Sequence, residues 1–202
     1  MRKLCLLLVA LALVLTAGTT QTFAQAPSSA DKTASYGFRQ EAVNELKAAQ
    51  REVVSLAQAM PQEKYTWRPA EGVRSVSEVY LHMAVANFGL TAAAGAPPFP
   101  GFKFPGFEKS TTDKAKIVEL LNQSFEYAET SISNMSDADL VKPKKVQEYN
   151  SVGDIIFHIV AHAHEHLGQS IAYARMNGVV PPWTAEQQQR QSQQAPPRAP
   201  QN

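Results

Sequence analysis

Four stretches of this chain repeat their apolar residues at helical spacing and stop at proline, glycine or a polar turn, so the fold must bury helix stripes against one another. The first spans residues 36–60, carries Val43, Leu46, Ala49, Val53, Leu56 and Ala57 on one stripe, and ends before Pro61. The second begins at Ser75 or Ser77, either of which is suited to cap it, and carries Val76, Val79, Tyr80, Met83, Ala86, Asn87 and Leu90 to its end near Ala94. The third spans residues 112–134, with Ile117, Leu120, Leu121, Phe125 and Ala128 inward. The fourth starts at Ser151, where Ser151 and Asp154 form a capping box with Asp in place of Glu, and runs to about Asn177, with Gly178 closing it. No segment alternates with period two for long enough to read as a sheet. The expected class is all-α: a four-helix bundle.

Between the second and third helices, residues 95–106 hold Pro97, Pro98, Pro100 and Pro105 beside Phe99, Phe102 and Phe104. This composition predicts a loop whose rings fold back over the bundle, as cover in preference to a lid. The chain opens with Arg2 and Lys3, an apolar run over residues 4–15, and small residues up to Ala24, which is the order of a secretory signal peptide. As a membrane span the run is too short. Cleavage is expected after Ala24, because Pro27 spoils the other small-residue site at Ala26. The expected organisation is a signal peptide over 1–24, a flexible segment over 25–35, the bundle over 36–184 and a disordered Gln/Pro-rich tail over 185–202. The export signal implies a periplasmic or secreted protein.

The only cysteine, Cys5, lies inside that leader, so the exported chain has no disulfide and no lipid-accepting cysteine. Lys and Arg number 19 against 18 Asp and Glu, and removal of the leader takes away two of the bases and no acid. A near-neutral chain without a basic cluster has no field for phosphate backbones, which excludes nucleic acid as the expected partner.

All five histidines fall on the second and fourth helices: His82, His158, His162, His164 and His166. Residues four apart lie on one helix face and can share an ion, so His158/His162 and His162/His166 are both candidate pairs. The stripe of Val152, Ile155, Ile156, Ile159, Ala163, Leu167, Ser170 and Ala174 separates them. His166 lies about 60° from its centre, His162 about 100° and His158 about 140°. The second pair therefore faces the bundle, and His164 projects from the far edge. His82, at the margin of the second helix's stripe, is placed to reach across. Three imidazoles with an open coordination position suit zinc first, with nickel, iron, manganese or copper as alternatives. The bland reading of the same residues is a set of hydrogen-bonded helix-face histidines. His162, Glu165 and His166 also match the spacing of inverted zinc peptidases, but Glu186 is the only acidic residue downstream and starts the tail.

Two blocks carry a family likeness. Residues 65–82, from Tyr65 through Trp67, Arg68, Pro69, Gly72 and Ser75 to His82, are one. His162, His164, Glu165, His166, Gly168 and Gln169, followed by Tyr173, Arg175, Asn177, Gly178, Pro181, Pro182 and Trp183, are the other. Over residues 36–184 the chain resembles the DinB-like, damage-inducible four-helix bundles, which include YfiT-type metal proteins and relatives that use low-molecular-weight thiols. The resemblance implies that His82, His162 and His166 bind one divalent metal ion and that His158 and His164 do not. It also implies a metal-dependent hydrolase or transferase acting on an unspecified small molecule, and pairing into a homodimer. The alternative is a metal or small-ligand binding protein of the bacterial envelope without turnover; a purely structural bundle is the third class. Tyr80, Asn87, Glu165 and Tyr173 lie near the expected ligands, and none is singled out by spacing as a catalytic residue.

Overall fold

The computed structural model describes residues 37–194. The segment expected to be a signal peptide, the stretch expected to join it to the bundle and the last part of the expected tail lie outside the described residues. Four long helices dominate: α1 Phe38–Ala59, α2 Val76–Ala93, α3 Lys114–Ser133 and α5 Val152–Met176, with a short α4 Asp137–Leu140 before a hairpin and a terminal α6 Pro182–Gln194. Helix α1 packs on α3 and α5, and α2 packs on the same two. The α2/α5 seam therefore joins the two helices that carry all the histidines.

The expected stripes supply the core. Leu46, Leu56, Ile117, Leu121, Phe125, Ile155, Ile156 and Ile159 have no solvent exposure. Complete burial of each such side chain stabilises the fold by about 1.5–3 kcal/mol. Local chemistry starts the helices where the sequence places them. The Ser75 side chain accepts from the Glu78 amide while the Glu78 carboxylate accepts from the Ser75 amide; Ser151 and Asp154 do the same for α5. Gly178, at φ 75°, lets the chain turn out of α5.

Three features differ from the sequence reading. Helix α2 is buried on nearly every side, adding Leu81, Ala84, Val85 and Phe88 to its stripe, because the 95–109 connection covers its outer face. Phe88 stacks on Phe99 at 4.3 Å between centroids and meets Phe102 at 5.1 Å, so the loop rings do fold back as cover. A two-stranded hairpin, β1 Pro143–Val146 with β2 Tyr149–Ser151, leads into α5; only Val146 and Tyr149 pack on the core, too few to show a period. Finally, residues 182–194, mostly assigned to a disordered tail, are helical. Pro182 occupies the first helical position, where a missing N–H costs nothing. Trp183 packs on the core, and Glu186 pairs with Arg190 one turn on. Among the described residues, no helix is long and apolar enough to cross a membrane.

Candidate metal centre

Helix α2 brings His82, and α5 brings His162 and His166, to one point on their seam. One ring nitrogen from each lies within 4.8 Å of the other two. The ring centroids are 4.9 Å apart for His82 and His162, 4.7 Å for His82 and His166, and 4.3 Å for His162 and His166. His162 and His166 are each only 8 % exposed, and His82 closes the outer side. The other two histidines are outside this trio: His164 pairs at 3.2 Å with Glu45 of α1, and His158 lies one turn before His162, its ring 5.7 Å from that of His162 and against Tyr149 of the hairpin.

The hydrogen bonds around the cluster fix its tautomers. His82 Nδ1 lies 2.7 Å from Glu108 Oε1. Burial pushes the Glu108 carboxyl up, but hydrogen bonds from Arg74 and His82 outweigh it and hold the group below the usual carboxylate range. The carboxylate is thus an acceptor, and Nδ1 of His82 donates. Arg74 clamps the same carboxylate at 2.8 and 3.3 Å. On the other side a directional chain ends at His166. The Tyr173 hydroxyl donates to the Arg74 carbonyl at 3.2 Å, which leaves its oxygen to accept from Gln169 Nε2 at 3.1 Å. That contact orients the Gln169 amide, so its Oε1 accepts from His166 Nδ1 at 2.7 Å. Both Nε2 atoms, of His82 and His166, then carry lone pairs in the neutral rings. Carbonyl or carboxylate partners on the far nitrogen are the usual support of metal-binding imidazoles.

The third ring completes the fit. His162 Nε2 lies 3.1 Å from His82 Nε2, a nitrogen that accepts when the His82 ring carries its one proton on Nδ1. Either His162 donates its proton there or a cation collects both lone pairs. Burial, with His166, His82, His158 and Arg74 nearby, pushes the His162 imidazole down to about 3. Burial likewise lowers His166, against the opposing hydrogen bond that its Nδ1 donates to Gln169. Both shifts favour the neutral rings that a metal ion would need. Three imidazoles without a thiolate match zinc and other borderline divalent ions.

Glu108 is the residue that sequence reasoning missed. Among the four polar residues left unassigned, Tyr173 proves to belong to the support of His166. Glu165 is exposed, Asn87 bonds Ser124 across the α2/α3 seam, and the Tyr80 hydroxyl is buried without a partner among the described residues. The two blocks of family likeness also meet in space: Trp67 packs edge-on against Tyr173 at 5.3 Å, and Arg74 accepts that tyrosine's hydroxyl.

Residues 45–170 match the DinB superfamily, and the chain belongs to it. The fold is similar to a DinB-like protein from Bacillus cereus, with a TM-score of 0.60 at 17% identity, covering 72% of this chain and 93% of that one. A DinB-like protein from Bacillus subtilis is similar at TM-score 0.55 and 17% identity, covering 69% and 94%. No curated protein matches the sequence.

Proposed function

We propose that this chain is an exported DinB-like metalloprotein in which His82, His162 and His166 hold one divalent ion, zinc first, and that it acts as a hydrolase or transferase on a small molecule. The observation that carries this reading is the convergence of three ring nitrogens within 4.8 Å of one another, with Glu108 and Gln169 each engaging the Nδ1 of an outer ring and leaving its Nε2 as the other nitrogen. A divalent ion held there would supply Lewis acidity toward a substrate oxygen or a water. The chain's own part is positional. Glu108, clamped by Arg74, holds His82; Gln169 and Tyr173 hold His166; the burial of His162 and His166 keeps those rings neutral and limits access by solvent.

A non-enzymatic binding protein is the second reading, and one observation favours it. Glu108 is the carboxylate beside the cluster, and both its oxygens are already engaged by His82 and Arg74, so it is not free to act as a base. The test is turnover of small esters, amides and epoxides by zinc-loaded, chelator-treated and His162→Ala protein. Turnover lost on chelation and in the variant, and restored to the wild type by zinc, supports the enzyme. Turnover indifferent to chelation removes the metal-dependent reading, and no turnover by the loaded protein favours binding alone.

A further inference from the structure

A cavity of about 370 Å³ opens beside the three histidines, between α2, α5 and the hairpin turn. Two larger hollows, near Lys142 and near Phe157, have no histidine in their walls. The space exists because α2, below His82, places Ala86, Gly89 and Ala93 along the wall. These side chains are too short to reach the opposite side, while Val85, Leu90, Phe104 and Val146 give it an apolar lining. Ala86 and Leu90, expected in the core, are only half-buried for this reason. Phe104 is 66% exposed and stands against Gly89, where an added Cβ would meet its ring at 3.7 Å.

Most of the polar groups of the cavity are neighbours of one another: His82 meets Glu108 at 2.7 Å and His162 at 3.1 Å, and the His158 ring lies 5.7 Å from that of His162, while Gln147 lines it from the hairpin turn. No lysine or arginine lines it. Arg74, the cation behind Glu108, is committed to that carboxylate. A charged ligand body would therefore lose its hydration against walls whose one charged group, Glu108, is already paired with Arg74 and His82, which costs several-fold more than a neutral group's burial. Apolar walls with a few convergent polar groups are the ordinary form of a small-molecule site, and this volume lies toward the small end of such sites.

We infer that this cavity receives an uncharged, largely apolar small molecule, with its single polar group directed to the imidazole end. The inference rests on the small-molecule reading of the site proposed above, and names the class of ligand. It also sets this chain apart from any cosubstrate that is itself multiply charged.

Two fluorescent probes with the same ring system test it: N-phenyl-1-naphthylamine, which is neutral, and 1-anilinonaphthalene-8-sulfonate, its anionic counterpart. Each is titrated into zinc-loaded and chelator-treated full-length protein and into Gly89→Leu and Ala93→Leu. Leucine favours a helix over glycine, so the first variant fills the cavity without weakening α2. The neutral probe is expected to saturate at one site per chain, with the anion about tenfold weaker or more in the chelator-treated protein, where no metal charge meets the sulfonate. Each variant is expected to weaken the neutral probe about tenfold while its zinc content stays at the wild-type value. Anion binding to the chelator-treated protein as tight as the neutral probe, absence of saturable neutral binding, or neutral binding unchanged in both variants overturns the inference. Neutral binding in a protein that holds no zinc supports the cavity and defeats only the metal reading; zinc retained without neutral binding defeats only the cavity.

Discussion

Replacing Glu108 with Ala removes the negative charge and both acceptor oxygens from the cluster, where Gln would still offer an amide oxygen to His82 as Gln169 does to His166. The structure separates two consequences. The stability cost is small, because the carboxylate is 31% exposed and its pairs with Arg74 and His82 lie near solvent; such pairs contribute under about 1 kcal/mol, or under about 4 °C in Tm for a chain of this size. The metal cost is larger. Glu108 Oε1 holds the His82 Nδ1 proton at 2.7 Å and so commits the other nitrogen to the cluster, and loss of such a partner costs about 10–100-fold in metal affinity. That is about 1.4–2.8 kcal/mol. Zinc competition against a chromophoric chelator measures the affinity, and a thermal melt of the metal-free protein measures the fold. An affinity within about twofold of wild type would refute the claim that Glu108 sets the tautomer of His82. A melt lowered in proportion to the zinc loss would reassign Glu108 to holding the loop.

Further outcomes follow from the same structure. Phe88→Ala empties the ring cluster that pins the 95–109 connection and should cost about 3–5 kcal/mol in denaturant unfolding; because Glu108 rides on that connection, zinc affinity should fall with it. Ser75→Ala breaks the capping box before His82 and should cost about 1 kcal/mol, read by the same unfolding curve. The folded state holds His162 and His166 below their ordinary value, so unfolding takes up protons. Stability of the metal-free protein should therefore be full above pH 6.5, the ordinary histidine value, and decline as pH falls toward about 3, the value of His162. Melting curves of wild type and His162→Phe between pH 7 and 4.5 check this: the variant should lose less, and equal losses would place the titration elsewhere.

The bundle was legible because its stripes are long. Val43 to Ala57 and Val152 to Ala174 each repeat over several turns, and a serine stands at the start of α2 and α5. The three histidines followed from the same stripes, since the angle from Ile155 and Ile159 separates His166 from His158. What supports the ligands was not legible from spacing. Glu108 lies 26 residues beyond His82 in an irregular connection, where no period relates it to any helix. The outer burial of α2 was hidden for a related reason: Leu81, Val85 and Phe88 look like exposed positions until the loop rings cover them. The α6 helix has no buried residue, so its glutamine-rich sequence carries no stripe to betray it.

The most direct test of the account is metal content by plasma mass spectrometry on the tag-free protein, set beside His82→Ala and His166→Ala. About one divalent ion per chain in the wild type, and none in either variant after zinc reconstitution, is the result the three-imidazole geometry predicts. Full metal content in both variants, or none in the wild type after reconstitution, would contradict the site and leave the histidines as hydrogen-bonded members of the α2/α5 seam.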